Sequence, residues 1–330
     1  MLGLIFLPYK IFLVFTALGL MVLSLSPWLG EKYRTFDVLS NFVPFWLSGL
    51  VVVLPFLIVF KLRVTAFLSV LCLLFVAGNF TGYIFPDLAV KAKRSALQSG
   101  GKNPTNTLKL MAVNLWSSHN RDPEKIFGLI EKEKPAIIEV CEIEDSWERR
   151  LTERLSSEYP HRSIFAKKGG MAVFSKYPIL RSQIKYARDG FRPRMVVDLK
   201  VGGGPLSILA CHPYVPISSV GRFSIRNDEF KIYADEVQDR RARTILVGDL
   251  NCTAWSHYFQ KMLREAKLTD TACGAILKPT WPQIPNPLLN IKPMITIDHC
   301  LITKDIKLVE RKTLPDCGSD HRPICVELAI

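Results

Sequence analysis

The chain ends with DCGSDHRPICVELAI over residues 316–330, where polar residues lead directly into an apolar strand. The strand is indicated by Ile324, Val326 and Leu328, which recur at every second position, as in a strand with one buried face. A closing strand needs no polar approach in order to pair with a sheet. The preceding segment is therefore either a solvated turn or one corner of an active site. An active site would need partners from elsewhere in the chain.

Other apolar strands also end in polar residues that can take part in chemistry. Each such residue alone is most often a cap or a turn residue. The set comprises LMAVN with Asn114, AIIEVCE with Glu142, LSILACH with His212, ILVGDLN with Asp249 and Asn251, and ITID with Asp298, together with Asp320 and His321 before the closing strand. Strand ends on one sheet edge converge, so we expect a single acidic pocket that contains histidine. The closing strand would carry His321 to this pocket.

The first 86 residues contain three long apolar stretches, at 11–29, 42–60 and 64–85. Each is close to the ~20 residues that cross ~30 Å of hydrocarbon. A signal peptide would explain the first stretch alone, and a buried helical core is the alternative for all three. No Asp, Glu, Lys, Arg or His lies inside a stretch, which disfavours a channel or transporter. We predict a membrane anchor of three transmembrane helices over residues 1–86.

The composition changes after the anchor. Residues 87–106 are polar, basic and rich in Gly, Ser and Asn, which is typical of a linker. From 107 to 330, short strands with hairpin signals alternate with a few helices, which predicts an α+β domain of two sheets faced by helices. We interpret residues 107–330 as the catalytic domain.

The charge and the cysteine content limit which partners and which cellular compartment are expected. The formal net charge is +13, and the domain after the linker remains basic, which suits an anionic substrate or a membrane surface but also an ordinary basic surface. The eight cysteines show no CxxC pair and no zinc-ligand spacing. Most lie in strand-like runs, where free buried thiols are common. Free thiols favour a reducing compartment.

Three motifs, in order, resemble the endonuclease/exonuclease/phosphatase superfamily of metal-dependent phosphoesterases. PAIIEVCE (135–142) resembles the family's PDIIxLQE, VGDLN (247–251) its GDxN, and GSDHRPI (318–324) its SDHxP. Ala136 replaces the family's Asp and Cys141 its Gln, the latter directly beside the expected metal ligand. The resemblance covers residues 107–330 and implies a four-layer αββα sandwich of the DNase I-like type, with membrane-anchored members as the nearest branch.

The resemblance also implies roles for the strand-end residues. Phosphate esters resist attack because their oxygens are negative, so catalysis needs a divalent cation and donors aimed at those oxygens. Mg²⁺ is expected, with Mn²⁺ as the alternative, and one or two carboxylates suffice because Mg²⁺ keeps several waters. The implied metal residues are Glu142, Asn114 and Asp320. The implied catalytic residues are Asp249 as base, Asn251 and His321 as donors, Asp298 orienting His321, and His212 facing the substrate. Arg194, Arg226 and Asn227 are the expected substrate-binding residues.

Several classes of enzyme in the superfamily share these catalytic residues, so the residues do not identify the substrate. We favour a membrane-anchored phosphatase or phosphodiesterase acting on a lipid-linked or envelope phosphate or pyrophosphate. One alternative is a nuclease acting on DNA or RNA, and another is a non-catalytic, phospholipid-binding membrane scaffold. The lipid bilayer and the phosphate ester are the expected partners, and the sequence indicates no protein partner.

The sequence gives opposing indications of which side of the membrane carries the catalytic domain. The distribution of Lys and Arg around the apolar stretches and the free cysteines favour a cytoplasmic domain. The resemblance to anchored envelope enzymes points outwards. We predict an integral protein of a bacterial plasma membrane with an extracytoplasmic catalytic domain.

Overall fold

The computed structural model describes residues 6–84, 107–167, 169–186, 192–217, 219–240, 243–272, 278–282 and 294–330. The predicted linker over 87–106 lies outside this part of the chain. The N-terminal segment is helical and comprises α1 (Leu7–Ser24), α2 (Ser26–Leu29), α3 (Arg34–Ser40), α4 (Val43–Val59), α5 (Arg63–Asn79) and α6 (Thr81–Ile84).

Strands and helices alternate through the rest of the chain. The strands are β1 (Thr107–Asn114), β2 (Ile137–Ile143), β3 (His161–Phe165), β4 (Gly170–Ser175), β5 (Ile179–Tyr186), β6 (Pro193–Val201), β7 (Gly204–Cys211), β8 (Arg243–Asp249), β9 (Thr269–Asp270), β10 (Asp298–Ile302), β11 (Lys307–Thr313) and β12 (Ile324–Ala329). The helices are α7 (Glu124–Glu133), α8 (Asp145–Leu155), α9 (Val220–Asp239) and α10 (His257–Ala266), and a 3₁₀ turn spans Ser117–His119.

The strands form two mixed six-stranded sheets. The first has the order β11-β12-β1-β2-β4-β3 and the second β5-β6-β7-β8-β10-β9. The closing strand β12 lies inside the first sheet, antiparallel to β1 with Thr107 opposite Ala329. β1 and β2 run parallel, as do β7 and β8. The polar segment before β12 is therefore fixed beside the end of β1, because β12 is paired on both edges.

Helices cover the outer face of each sheet, so the domain has the predicted αββα layers. Side chains that alternate along the strands fill the space between the two sheets, among them Leu110, Val197, Ile208 and Val326. On the first sheet, α7 and α8 bury Ile126 and Leu151 among others. On the second sheet, α9 and α10 contribute Phe230 and Phe259. The period of two in the strands and the amphipathic helices specify this layering.

The apolar N-terminal helices match the predicted anchor only in part. Among the described helices, α1 is long and apolar enough to cross a membrane alone. The pair α3 and α4 passes the same test only if it is taken as one span bent by 74°, and α5 is shorter at 17 residues. The bend arises because α3 ends at Ser40 and α4 restarts with Pro44 in its first turn. By length and composition, one described helix near the N-terminus, or two if the bent pair is one span, could cross a membrane, and three spans stay a prediction.

Polar contacts fix the N-terminal helices on the domain of residues 107–330. The Asp37 carboxylate of α3 is fully buried, accepts a hydrogen bond from Ser256 Oγ at 2.8 Å, and pairs with Arg226 Nη2 at 2.6 Å. The backbone N–H of Thr253 donates to Asn41 Oδ1 at 2.7 Å. Because a buried charge must be paired, these contacts hold α3 firmly beside the loop that follows β8.

Candidate active site

Three site residues lie at the ends of rows of side chains whose other members fill the apolar space between the sheets. Side chains on a strand alternate between its two faces, so every second residue points the same way. The rows are Leu110, Ala112 and Asn114 on β1, Ile245, Val247 and Asp249 on β8, and Ile302, Cys300 and Asp298 on β10. His212 extends the row of Ile208 and Ala210 in the same way. The apolar core therefore ends in a polar rim built from both sheets.

Glu142 reaches this rim through a break in strand regularity. It adopts a left-handed backbone conformation (φ 54°), and the pairing of β2 with β4 shifts register between Cys141 and Ile143. Such a bulge re-aims a side chain, and non-glycine residues with positive φ concentrate at functional sites. Opposite the bulge, a Cβ on Gly170 would lie 2.2 Å from the Ile143 carbonyl oxygen, so glycine is required there. Asn251 is also left-handed (φ 52°).

Hydrogen bonds fix the Asp249 carboxylate at the centre of the rim. Asn114 Nδ2 donates to Asp249 Oδ2 at 3.0 Å, and the Asn251 backbone N–H donates to Asp249 Oδ1 at 2.9 Å. Burial raises the pKa of Asp249 to about 7, although His321 and these donors oppose the rise. A carboxylate with a pKa near neutrality can accept a proton at working pH.

His321 forms a buried pair with Asp298, as the sequence predicted. Its Nδ1 lies 3.0 Å from Asp298 Oδ2, and its Nε2 lies 3.7 Å from Asp249 Oδ2. Burial lowers the pKa of His321, but the charges of Asp298 and Asp249 outweigh it and raise the pKa to about 10. His321 is therefore an imidazolium at neutral pH and can donate to a phosphoryl oxygen.

His212 is the neutral histidine of the site. Its Nε2 lies 3.5 Å from Glu142 Oε1 and 3.6 Å from Asp249 Oδ2, and its Nδ1 lies 3.2 Å from Arg192 Nη1. Arginine can only donate, so Nδ1 accepts and the proton sits on Nε2. Burial, helped by the Arg192 charge, holds the pKa of His212 well below its usual range. The Nε2–H group therefore points towards the carboxylates without adding a charge.

The donor set fits a divalent cation with oxygen ligands. Ligand atoms of Glu142, His212 and Asp249 all lie within 4.8 Å of one another. Asp320 accepts from Trp281 Nε1 at 3.0 Å through Oδ2, while its buried Oδ1 has no hydrogen-bond partner in the described residues. Carboxylate oxygens beside an open cleft are the ligands that a hard cation prefers. Of the predicted ligands, Glu142 and Asp320 line one cavity, whereas Asn114 is hydrogen-bonded to Asp249, and the ligand atoms that cluster are those of Glu142, His212 and Asp249.

Two cavities meet at Glu142. The larger, of about 500 Å³, is here called the polar cleft and includes Ser117, Glu142, Glu144, Arg192, Tyr214 and Arg222. The smaller, of about 330 Å³, is called the apolar cleft, and includes Val38, Phe42, Val215, Ile217, Ile295 and Ile297 together with the catalytic candidates Glu142, Asp249, Asn251, Asp320 and His321. Val38 and Phe42 come from the N-terminal helical segment. That segment therefore forms one wall of the site.

The structure corrects the three predicted substrate-binding residues. Arg194 is buried and pairs with Glu236 Oε2 at 3.3 Å, and Arg226 is fully buried against Asp37. Asn227 accepts from Arg226 Nη2 at 2.8 Å. None of the three lines either cleft. The sequence pattern around them could not reveal that α3 supplies the carboxylate that Arg226 binds.

Sequence reasoning missed other residues at the site. Tyr214 and Arg222 line the polar cleft, and their signal was weak, since Arg222 merely sits three residues after the N-cap Ser219. Glu139 is fully buried beneath the rim, and neither of its carboxyl oxygens has a hydrogen-bond partner among the described residues. Burial, reinforced by Asp298 and Asp249, raises the pKa of Glu139 well above its ordinary value.

Comparisons with known proteins agree with this geometry. The model of the Endonuclease/Exonuclease/phosphatase family matches residues 111–321. An endonuclease/exonuclease/phosphatase from Beutenbergia cavernae is similar in structure, with a TM-score of 0.56 and 21% identity over 68% of this chain and 72% of that chain. TDP2 of D. rerio, complexed with single strand DNA product, is similar with a TM-score of 0.55 and 13% identity over 68% of this chain and 100% of that chain.

A further solved structure is also similar. Beta toxin from Staphylococcus aureus gives a TM-score of 0.51 and 18% identity over 66% of this chain and 99% of that chain. A comparison with curated proteins found no significant match to the sequence. At these identities the structural likenesses show the fold, and the residues matched by the family model include the rim residues from Asn114 to His321. The chain therefore belongs to the Endonuclease/Exonuclease/phosphatase family and is a metal-dependent hydrolase of phosphoester bonds.

Proposed function

We propose that the protein is a membrane-anchored, Mg²⁺-dependent phosphoesterase whose substrate is a lipid-linked phosphate. The observation that carries this proposal is the apolar cleft. Val38 and Phe42 of the N-terminal segment line the same cavity as Asp249 and His321. A hydrocarbon chain can lie against this wall while its phosphate reaches the rim, since apolar surface in a cleft favours apolar ligands.

The exposed surface of the N-terminal helices supports the membrane anchor. Phe12 and Phe15 on α1 are each 69% exposed, and Val59 and Val64 around the α4–α5 turn are 74% and 75% exposed. Contiguous apolar surface of this kind marks a membrane or protein contact. Trp28 and Tyr33, near the ends of these helices, suit the headgroup region. An anchor in a bacterial plasma membrane would then place the apolar cleft close to the lipid headgroups.

The side chains divide the reaction between them. Glu142, Asn114 and Asp320 would hold Mg²⁺ or Mn²⁺, and the bound ion would offset charge on the phosphoryl oxygens. Asp249, fixed by its two donors, takes the proton of the attacking water.

Donors around the phosphorus complete the site. His321, held in orientation by Asp298, donates as an imidazolium, and His212 donates through its neutral Nε2–H. The Asn251 side-chain amide lies at the Pro213 carbonyl, 3.0 Å away, and its backbone fixes Asp249. A second donor role of Asn251 towards the phosphoryl oxygen follows from the family resemblance.

The side of the membrane decides which lipid phosphates the enzyme meets. We place the catalytic domain outside the plasma membrane, as the resemblance to anchored envelope enzymes implies. The free and buried Cys141, Cys211 and Cys300 are compatible with this placement because thiols buried in strands are shielded from oxidants.

The proposal is tested with the full chain in lipid nanodiscs with Mg²⁺. Phosphate release from farnesyl diphosphate and from a short-chain soluble phosphate ester is compared with nicking of plasmid DNA. Phe42→Ala should weaken kcat/KM for the farnesyl ester about tenfold, because the half-buried Phe42 ring would lose about 1.5 kcal/mol of apolar contact with the lipid chain. It should leave the soluble ester unchanged.

Phe45→Ala is the matched control, since Phe45 is 42% exposed and lies outside the apolar cleft. Cleavage of DNA without phosphate release from the farnesyl ester would reject the lipid proposal and favour a nuclease. If Asp249→Ala leaves lipid binding intact and the wild type shows no turnover of any ester, the scaffold hypothesis gains instead.

A further inference from the structure

The polar cleft contains two arginines, Arg192 and Arg222, for which the proposed reaction provides no anion. The Arg192 guanidinium carbon lies 5.0 Å and the Arg222 guanidinium carbon 5.3 Å from the centre of the Tyr214 ring. The Tyr214 ring is only 7% exposed, so it is a fixed platform for both cations. Both arginines line the same cavity as Glu142.

These cations have no carboxylate partner in the part of the chain that the structure describes. The ion pairs found there include neither Arg192 nor Arg222, in contrast to Arg194, Arg226 and Arg240, each of which pairs with an acid. An aromatic ring holds a guanidinium in place without neutralising it. Two such groups facing a cavity are prepared for an anion, which the guanidinium fork binds through paired hydrogen bonds.

One histidine separates these arginines from the reaction centre. Arg192 Nη1 lies 3.2 Å from His212 Nδ1, and His212 Nε2 lies 3.5 Å from Glu142 Oε1. An anion held by Arg192 and Arg222 is therefore next to the phosphorus that reacts at Glu142. The N-terminus of the 20-residue helix α9, capped by Ser219, opens into the same cavity through Gly221 and Arg222 and adds a favourable dipole.

We propose that Arg192, Arg222 and Tyr214 bind a second phosphate of the substrate, so that the enzyme acts on a lipid diphosphate ester. This inference rests on the proposed lipid function. The apolar cleft and the polar cleft share Glu142 and otherwise have different linings. This arrangement assigns the lipid chain to the apolar cleft, the lipid-proximal phosphorus to Glu142 and the terminal phosphate to the arginines.

This order determines which bond forms. The water oxygen bonds to the lipid-proximal phosphorus, and its proton passes to Asp249. The bond from that phosphorus to the bridging oxygen breaks, and the bridging oxygen leaves with the terminal phosphate as orthophosphate. The other product is the lipid monophosphate. The oxygen taken from water therefore ends in the lipid monophosphate rather than in orthophosphate.

The first experiment uses the full chain in nanodiscs with Mg²⁺. Arg222→Gln is the test variant because Arg222 is exposed and touches Tyr214 but none of the groups assigned to catalysis. It should lower kcat/KM for farnesyl diphosphate about five- to tenfold, as expected for one lost charged contact, and change farnesyl monophosphate hydrolysis less than about twofold. Arg149→Gln, an exposed arginine on α8 outside both clefts, is the control.

A second readout needs no turnover. Inorganic diphosphate and orthophosphate are titrated calorimetrically into the wild type and Arg222→Gln. Diphosphate binding should weaken about five- to tenfold in the variant while orthophosphate binding stays the same. If neither farnesyl ester is hydrolysed but this difference appears, the subsite stands and the lipid function falls.

Three results would overturn the subsite. These are equal diphosphate affinity in wild type and variant, an unchanged ratio of diphosphate to monophosphate hydrolysis, and ¹⁸O from labelled water appearing in orthophosphate instead of the lipid product. Weaker cleavage of a DNA strand by Arg222→Gln, with diphosphate binding unaltered, would assign the arginines to a nucleic-acid backbone and also reject the proposal.

Discussion

The Asp298–His321 pair determines how the activity should depend on pH. The pKa of His321 rises from 6.5 to about 10, and Asp298 is the largest contributor to the rise, followed by Asp249. At ~1.4 kcal/mol per pKa unit, the rise corresponds to ~5 kcal/mol in favour of the imidazolium. Asp298 contributes both its charge and its 3.0 Å hydrogen bond, so we assign it about half, or ~2–3 kcal/mol.

Asp298→Asn should therefore move the pKa of His321 to about 8 and shift the basic limb of the activity profile with it. Near neutral pH the variant keeps its imidazolium, and we expect only the 10- to 100-fold loss typical of an altered orienting residue. Near pH 9.5 the activity of the variant relative to the wild type should fall by a further factor of roughly 25. The reason is that His321 is then mostly neutral in the variant but still mostly charged in the wild type.

The assay is kcat/KM for phosphate release by the full chain between about pH 6 and pH 10 at saturating Mg²⁺. Asp270→Asn is the matched control, because Asp270 on β9 forms another buried pair with a histidine, its Oδ2 lying 3.4 Å from Nδ1 of His299 on β10. Neither residue of this pair lines either cleft. It should lower stability without moving the basic limb. An Asp298→Asn profile that superimposes on the wild-type profile after scaling would refute the charged role of His321.

Three further predictions concern stability and topology. Because the pKa of Glu139 is raised in the folded state, the contribution of Glu139 to stability is complete below the ordinary Glu pKa and declines as the pH rises. Glu139→Gln should therefore raise the unfolding temperature near pH 8 and lose that gain towards pH 4.5. An equal gain at both pH values would contradict this. Arg226→Ala should destabilise the full chain by ~3–5 kcal/mol in detergent because Asp37 is left buried and unpaired, and a change under ~1 kcal/mol would show that the pair is not buried in solution. An alkaline phosphatase fused after Ile330 should be active if the catalytic domain is extracytoplasmic, whereas activity of a fused cytoplasmic reporter alone would place the domain inside.

Strand periodicity explains why much of the site was predictable from the sequence. Asn114, Asp249 and Asp298 follow core rows with a period of two, so their convergence needs only the correct pairing of strands. Glu142 illustrates a limit, because the left-handed turn that aims it depends on the bulge against β4 and on Gly170. The residue was identified by its motif, but its orientation required the structure.

Long-range pairing explains what was missed. Arg226 and Asp37 are 189 positions apart, and no local pattern links an N-terminal helix to α9. The place of Arg222 beside Tyr214 was missed for a similar reason, since the segment before β6 and helix α9 bring Arg192 and Arg222 to one ring. The break between the first two apolar stretches was expected from the polar residues there, but hydropathy alone does not show that this segment docks on the domain of residues 107–330.

The central claim is that carboxylates from separate strands gather around one divalent cation at the rim of the sandwich. It is tested most directly by Mn²⁺ binding to the full chain, followed by electron paramagnetic resonance. Glu142→Gln should weaken Mn²⁺ affinity at least about tenfold, while Glu153→Gln, an exposed residue of α8, should bind like the wild type. Wild-type Mn²⁺ affinity in Glu142→Gln would contradict the account.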